Sequence, residues 1–205
     1  MLQRRSIALI AALGLAALPA LAAEAPKIGQ PAPEFTATDS DGHTVSLGDL
    51  KGKTVVLEWT NDGCPYVVKW YRSGAMQELQ RDAARLGVVW LTIASSAPGE
   101  QGYVDAAAAN ADTQRRNAAP AHVLLDAKGV IGHLYGAQTT PHMFVVRPDG
   151  VLAYMGGADS IASTRDEDIG RAEPYAREAI EAVVAGKPVV HPVTRPYGGT
   201  VKYAS

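Results

Sequence analysis

The sequence contains a single cysteine, Cys64, among 205 residues. One cysteine excludes an internal disulfide, a zinc site built from cysteine pairs and a C-x-x-C redox pair, because each of these needs at least two thiols. A glycine-rich phosphate-binding loop is absent as well. Three interpretations of Cys64 remain, namely a small buried side chain, a thiol that pairs with another molecule, or a reactive nucleophile.

The chain also lacks a block of basic residues. Its 19 lysines and arginines are outnumbered by 21 aspartates and glutamates, which gives a net charge of −2. Nucleic-acid-binding proteins normally carry clustered positive charge. We therefore expect no nucleic-acid partner. The length suits one ordinary domain with a substantial hydrophobic core.

Long hydrophobic runs are absent except at the amino terminus. Arg4 and Arg5 precede an apolar run over residues 7–18, and a small-x-small cleavage site ends at Ala22. This order is typical of a secretory signal peptide. The run is short for a membrane span, although an uncleaved anchor is the alternative. We predict a signal peptide over residues 1–22, export to the bacterial periplasm, and no membrane attachment after cleavage.

Hydrophobic patterning predicts strands that alternate with helices. The predicted strands lie at residues 34–38, 44–45, 55–60, 88–94, 121–126, 143–147 and 151–155. The predicted helices lie at residues 65–86, 100–110, 130–135 and 174–185. Ser73-Gly74 should interrupt the first helix. This alternation indicates an α/β sandwich with a mixed central sheet. We assign residues 27–186 to this domain and residues 187–205 to a Pro-rich C-terminal tail.

Cys64 lies where a buried strand meets the first helix. The strand over residues 55–60 is followed by the turn signal Asn61-Asp62-Gly63, and Pro65 suits the first position of a helix. Backbone N–H groups and the helix dipole stabilise a thiolate at such a position. This context favours the reactive-nucleophile interpretation of Cys64.

Four features of the sequence, in this order and spacing, carry a resemblance to a known family. They are the opening at residues 29–35, the strand that ends before Cys64, the loop Thr139-Thr140-Pro141, and the strand and hairpin at residues 144–150. Together they resemble thioredoxin-fold redoxins of the alkyl hydroperoxide reductase/thiol-specific antioxidant (AhpC/TSA) family and the exported TlpA-like group. The resemblance covers about residues 27–157. It implies a thioredoxin-like three-layer sandwich, with a central mixed β-sheet flanked by helices and an N-terminal β-hairpin extension.

The chain departs from this family around its cysteine. Thioredoxins carry a second cysteine where this sequence has Val67. Peroxiredoxins place a threonine three residues before the nucleophile, whereas Thr60 lies four before Cys64, and they use an arginine where this chain has Pro141. The tail resembles that of exported redoxins that carry a cysteine at the position of Gly199. By this resemblance a resolving cysteine has been lost.

Two residues are predicted to be catalytic. Cys64 is the expected nucleophile, which attacks either a peroxide or a disulfide sulfur. Thr60 is predicted to hydrogen-bond the thiolate or a peroxide oxygen, with a simple capping role at the strand end as the alternative. Asp62 is interpreted as turn chemistry rather than as a base.

The substrate-binding residues are predicted around the same loop. In thioredoxin-like proteins the cis-proline loop forms the substrate-binding edge, which the resemblance implies here for Thr140 and Pro141. Pro65 and Trp59 flank the cysteine and are predicted to contribute, although core packing is the alternative for Trp59.

No metal or cofactor is predicted. His142 adjoins Pro141, where it could pair with Cys64 or join it on copper, but one cysteine and one histidine are a thin ligand set. The remaining histidines show no metal-ligand spacing in the sequence: His43, His122, His133 and His191.

Two functions remain open at this point. The first is a thiol-dependent antioxidant or oxidoreductase that acts through one cysteine and is reduced by an external thiol or a partner redoxin. The second is a redox-degenerate thioredoxin fold that binds a partner or a metal without turnover. The cysteine at a helix start favours the first function, and the missing second cysteine favours the second.

Overall fold

The computed structural model describes residues 25–205. The predicted signal peptide, residues 1–22, lies outside the described residues. In the described part the strands are β1 (Thr36–Thr38), β2 (Thr44–Ser46), β3 (Val55–Trp59), β4 (Val89–Ala94), β5 (His122–Leu125), β6 (Thr139–Thr140), β7 (His142–Val146), β8 (Leu152–Gly156) and β9 (Gly199–Thr200). The α-helices are α1 (Pro65–Arg72), α2 (Ala75–Arg85), α3 (Ala106–Arg115), α4 (Val130–Tyr135) and α5 (Tyr175–Val184). None of these helices is long and apolar enough to span a bilayer.

A five-stranded sheet in the order β5-β4-β3-β7-β8 forms the centre of the protein. β3 pairs in parallel with β4, and β4 pairs in parallel with β5, whereas β7 runs antiparallel to both β3 and β8. Every residue of β3 is buried. A strand covered on both faces needs a continuous run of mostly apolar side chains, which explains why this segment does not alternate. The predicted α/β sandwich with a mixed sheet is confirmed.

The sheet separates two hydrophobic cores, because successive side chains of a strand point to opposite faces. Helices α1, α2 and α5 cover one face, where Val56 of β3 and Met143 of β7 pack with Cys64. The hairpin β1–β2 and helix α4 cover the other face, where Trp59 and Phe144 are buried. Cys64 and Trp59, although close in sequence, therefore belong to different cores.

The helix boundaries agree with the sequence in one place and differ in another. The first predicted helix is interrupted at Gly74, whose φ of 81° suits a glycine, so the predicted break is confirmed. The helix predicted over residues 100–110 instead begins at Ala106. Its true start is set by Asp105, whose side chain accepts a hydrogen bond from the Ala108 N–H and so caps the helix.

A buried carboxyl group ties α1 and α2 to the sheet. Glu58 of β3 is completely buried and accepts hydrogen bonds from the Tyr71 hydroxyl (2.8 Å), the Trp90 indole (2.8 Å), the Thr92 hydroxyl (3.1 Å) and the Gln80 amide (3.2 Å). Burial raises the pKa of Glu58, and these hydrogen bonds offset only part of that effect.

The raised pKa of Glu58 predicts a pH-dependent difference between the wild-type protein and a Glu58→Gln variant. The stabilisation from proton uptake is present below the ordinary pKa of 4.5 and is lost as pH rises through the raised value. The free energy of unfolding of the wild type, relative to the variant, should therefore fall with rising pH by at most about 1.4 kcal/mol per pH unit. Urea unfolding of both proteins at pH values from 4.5 up to the raised pKa of Glu58 measures the difference in the free energy of unfolding. A difference that is constant or grows with pH contradicts the prediction.

Candidate active site

Cys64 is the N-cap residue of α1. Its backbone is extended, with φ −76° and ψ 121°, and its carbonyl accepts the first helical hydrogen bond from the Val68 N–H at 2.8 Å. Pro65 follows at the first helical position, where its missing N–H leaves no bond unmade. The Cys64 side chain is only 2% exposed. The predicted nucleophile therefore lies at the start of a helix, as expected, but its side chain is buried.

The cis-proline loop lies directly beside this sulfur. The Thr140–Pro141 peptide bond is cis, as the resemblance implied. The Cys64 thiol donates a hydrogen bond to the Thr140 carbonyl at 3.1 Å. Thr140 itself is 1% exposed. Of the residues predicted for the site, Thr140, Pro141 and Pro65 are therefore brought together around Cys64.

The tail, residues 187–205, covers the same sulfur from the other side. Its strand β9 pairs antiparallel with β6, so that Gly199 lies opposite Thr140. The Gly199 N–H donates to the Cys64 sulfur at 3.4 Å. A side chain on Gly198, whose φ is 151°, would begin 2.0 Å from the Thr140 carbonyl oxygen. Only glycine allows the tail backbone to lie this close to the cis-proline loop.

A buried polar cluster holds the tail next to α1. The Lys69 ammonium of α1 lies 3.2 Å from the Tyr197 hydroxyl and 3.7 Å from an Asp159 carboxylate oxygen. The Tyr197 hydroxyl also donates to Asp159. All three side chains are buried. Burial lowers the pKa of Lys69, and the Asp159 carboxylate offsets part of that effect by favouring the charged form.

The end of the tail is anchored a second time, beside α4. The Tyr203 hydroxyl donates to the Ala137 carbonyl at 2.8 Å, and its ring stacks on His133 with centroids 4.0 Å apart. The Lys202 carbonyl accepts from the Ala97 N–H at 2.8 Å. Anchors on both sides of Gly199 thus hold the tail over Cys64.

Thr60 lies at the end of β3 and is also buried. Its hydroxyl lines a small cavity of about 30 Å³ together with Tyr71, Thr92 and Arg116. Within the described chain this hydroxyl has no hydrogen-bond partner. A cavity of this size holds about one water molecule. The catalytic role of Thr60 stays a prediction.

Trp59 points away from the cysteine. It is completely buried, its indole donates to the Ser95 hydroxyl at 3.0 Å, and its ring lies 5.2 Å from that of Phe144. This position corresponds to the core-packing alternative. A role of Trp59 in substrate binding stays a prediction.

His142 lies on the same face as Trp59, because the two residues are directly paired between β3 and β7. Its ring contacts Phe144, and its Nδ1 accepts from the Gln138 N–H at 3.3 Å. Burial lowers the pKa of His142 to about 4, so the ring is neutral at pH 7. The face of the sheet that His142 occupies is the one opposite to the Cys64 core.

Lys69 and the strands β6 and β9 contribute to the site but were not predicted from the sequence. Two-residue strands such as Thr139–Thr140 and Gly199–Thr200 are too short to show a period. Lysine is rarely buried, so Lys69 gave no sign of a structural role. The one available signal was the resemblance of the tail to redoxin tails with a cysteine at position 199.

The fold and the Cys64 site define a thioredoxin-fold redoxin. The sequence model of the AhpC/TSA family matches residues 28–155. The chain therefore belongs to the AhpC/TSA family, which confirms the resemblance deduced from the sequence. No curated protein sequence matches the chain.

Several solved structures share the fold. A hypothetical protein from Sinorhizobium meliloti 1021 is 21% identical, with a TM-score of 0.73 and coverage of 89% of this chain and 97% of that one. An uncharacterized conserved protein from Geobacillus kaustophilus is 22% identical, with a TM-score of 0.73 and coverage of 92% and 98%. Peroxidoxin BcpB from Mycobacterium tuberculosis is 15% identical, with a TM-score of 0.55 and coverage of 77% and 98%. At these identities the likeness establishes the fold alone.

The approach of Gly199 to Cys64 predicts that Gly199→Cys will form a disulfide with Cys64. A Cβ atom added to Gly199 would lie 4.0 Å from the Cys64 Cβ, which falls within the range of about 3.5–4.5 Å for disulfides. Oxidation should abolish labelling of both thiols and stabilise the protein by about 2–4 kcal/mol. Mass spectrometry under non-reducing conditions and urea unfolding measure both effects.

The matched control is Thr200→Cys, the next residue of β9, whose side chain is exposed. Successive side chains of a strand point to opposite sides, so this variant should keep two separate thiols. Efficient disulfide formation by Thr200→Cys, or none by Gly199→Cys, contradicts the register of β9 over Cys64.

Proposed function

We propose that this protein is an exported thiol-dependent antioxidant or oxidoreductase in which Cys64 is the only nucleophile. The observation that carries the proposal is the position of its sulfur, at the start of α1 and 3.1 Å from the carbonyl of the cis-proline loop. Membership of the AhpC/TSA family supports peroxide or disulfide chemistry. The predicted signal peptide supports export to the periplasm.

The peroxide reaction has three steps. The Cys64 thiolate attacks the terminal oxygen of a hydroperoxide, so that an S–O bond forms, the O–O bond breaks and an alcohol leaves after taking up a proton. An external thiol then attacks the sulfenic sulfur and releases water, which leaves a mixed disulfide. A second external thiol breaks this disulfide by exchange and regenerates Cys64.

In the disulfide reaction the Cys64 thiolate instead attacks one sulfur of the substrate, so that a mixed disulfide forms, the substrate S–S bond breaks and its other sulfur leaves as a thiolate. An external thiol then breaks the mixed disulfide by exchange and regenerates Cys64. In either case the two electrons that return Cys64 to the thiol come from outside the chain, because the sequence contains no other cysteine. A small thiol or a partner redoxin is the proposed reductant. The backbone of Thr140 and Pro141, beside Cys64, is the proposed substrate-binding edge.

Access to the sulfur is the main requirement of this cycle. With Gly199 in place, Cys64 is 2% exposed and both hydrogen-bonding directions of its sulfur are used by Thr140 and Gly199. We propose that substrate and reductant reach the thiol when the tail moves away from β6. A two-residue strand pairing is weak enough to open without unfolding the domain.

The second candidate function is a partner-binding module without turnover. The burial of Cys64 favours it, since a thiol that stays covered reacts with neither peroxide nor disulfide. The two candidates differ in whether the tail leaves the sulfur often enough for chemistry.

Replacement of the nucleophile tests the enzymatic proposal directly. The mature protein should consume hydrogen peroxide, or reduce a model disulfide, with an external thiol as the electron source. Cys64→Ser should reduce both rates to those of the external thiol without protein, because the chain contains no other thiol. Equal rates in the variant, or no activity in the wild type with any thiol reductant, would favour the binding module.

Loosening the tail should increase the reactivity of Cys64. Tyr203→Ala removes the hydrogen bond to Ala137 and the stacking on His133, so the alkylation rate of Cys64 should rise about tenfold, which corresponds to about 1.4 kcal/mol of lost tail stability. The matched control is Tyr103→Ala, at a position that is 42% exposed. Equal alkylation rates in wild type, variant and control would refute a gating role of the tail.

A further inference from the structure

A cluster of two aspartates and two histidines lies at the β5 edge of the central sheet. It consists of Asp39, Asp41, His43 and His122, and it shares no residue with the Cys64 site. Asp39, Asp41 and His43 come from the turn between β1 and β2, whereas His122 is the first residue of β5. We refer to these four residues as the Asp–His cluster.

The fold brings these residues together by docking the turn onto the edge strand. The Ser40 N–H donates to the Val123 carbonyl at 2.8 Å, and Asp39 forms a bridge with Leu124. The α3 residue Asn110 completes the contact by donating to the Ser40 carbonyl at 3.2 Å. Because 78 residues or more separate His122 from the turn in the sequence, no motif spacing could reveal the cluster.

The two histidine side chains converge on a single carboxylate oxygen of Asp39. The Nδ1 atom of His122 lies 2.7 Å from Oδ2 of Asp39, and Nδ1 of His43 lies 3.2 Å from the same oxygen. A carboxylate oxygen of Asp41 lies within 4.8 Å of the Asp39 and His43 ligand atoms. The other oxygen of Asp39 accepts the backbone N–H groups of Asp41 (3.0 Å) and His43 (2.8 Å), which fixes the orientation of the carboxylate.

We propose that the Asp–His cluster binds a divalent transition-metal ion of the zinc type. Zinc takes four nitrogen and oxygen ligands at about 2.0–2.2 Å in a tetrahedron, whose neighbouring ligand atoms are about 3.3–3.6 Å apart. The separations of 2.7 and 3.2 Å between Asp39 and the two histidine nitrogens approach that spacing. The ligand atoms of Asp39, Asp41 and His43 already lie within 4.8 Å of one another, and His122 completes the set by rotating towards Asp41 and His43.

Charge and ligand type support the same ion. Two aspartate carboxylates balance the charge of one divalent cation, and two imidazoles favour zinc over magnesium or calcium, which prefer sites built from oxygen. When the metal ion binds, it takes the place of the proton that each histidine shares with Asp39. The Asn110 amide, 3.0 Å from an Asp41 oxygen, supplies an orienting hydrogen bond of the kind found around metal ligands.

The exposure of the cluster suits a metal that enters from solvent. The Asp39 side chain is 2% exposed and held in place, whereas those of His43 and His122 are 68% and 32% exposed. A buried ligand with more exposed outer ligands allows an ion to bind without opening the core. No part of this proposal depends on the redox activity of Cys64.

Calorimetric titration of the mature protein with zinc chloride tests the site. We expect one zinc ion per chain, with binding weakened about tenfold or more in both His43→Gln and His122→Gln, because each loses a ligand. His43 is largely exposed, so the His43→Gln variant should fold normally. If the His122→Gln variant does not fold, the zinc affinity of His43→Gln alone tests the site. Circular dichroism checks the fold of each variant.

Two control variants separate this site from other zinc ligands. His191→Gln changes an exposed histidine that pairs with Glu173 at 3.0 Å but lies outside the cluster, and Cys64→Ser removes the thiol. Both should bind zinc as the wild type does. Zinc binding that is absent, unchanged by His43→Gln, or lost with Cys64→Ser overturns the proposal. Equally tight binding of magnesium or calcium chloride also overturns it, because an oxygen-only site would then explain the data.

Discussion

The close packing of the tail backbone against the Cys64 sulfur is the constraint on which the rest of the site depends. The sulfur has the Thr140 carbonyl on one side and the Gly199 N–H on the other. This arrangement requires glycine at position 198, because any side chain there would overlap the Thr140 carbonyl. Under the proposed function, the reactivity of Cys64 depends on the position of the tail as much as on the helix that follows the cysteine.

The buried cluster of Lys69, Asp159 and Tyr197 explains why the tail stays in place. Burial of a lysine and an aspartate costs free energy, and this cost is offset only while each charged group keeps its partner. Loss of Tyr197 from the cluster would leave a buried charge pair in which Lys69 and Asp159 each lack one hydrogen bond. The tail and helix α1 are thus coupled, although they are more than a hundred residues apart in the sequence.

Much of the fold could be predicted from local patterns, whereas the surroundings of Cys64 could not. The run at residues 55–59, the break at Gly74 and the hairpin after β7 each follow from composition and turn chemistry within a few residues. The start of α3 was misplaced because Asp105 caps the helix and Gly102, with a φ of 84°, lies outside the helical conformation. The contacts of Gly199 and His122 depend on tertiary packing, which a single sequence does not encode as a local pattern.

The proposed function requires that Cys64 turns over as a single thiol with an external reductant. Intact-protein mass spectrometry during one cycle tests it most directly, with hydrogen peroxide added first and a small thiol second. We expect one oxygen atom to be added at Cys64 and then exchanged for one molecule of the thiol, and the starting mass to return with excess thiol. A mass that never changes, in a protein that is folded and exposed to excess peroxide, would contradict it.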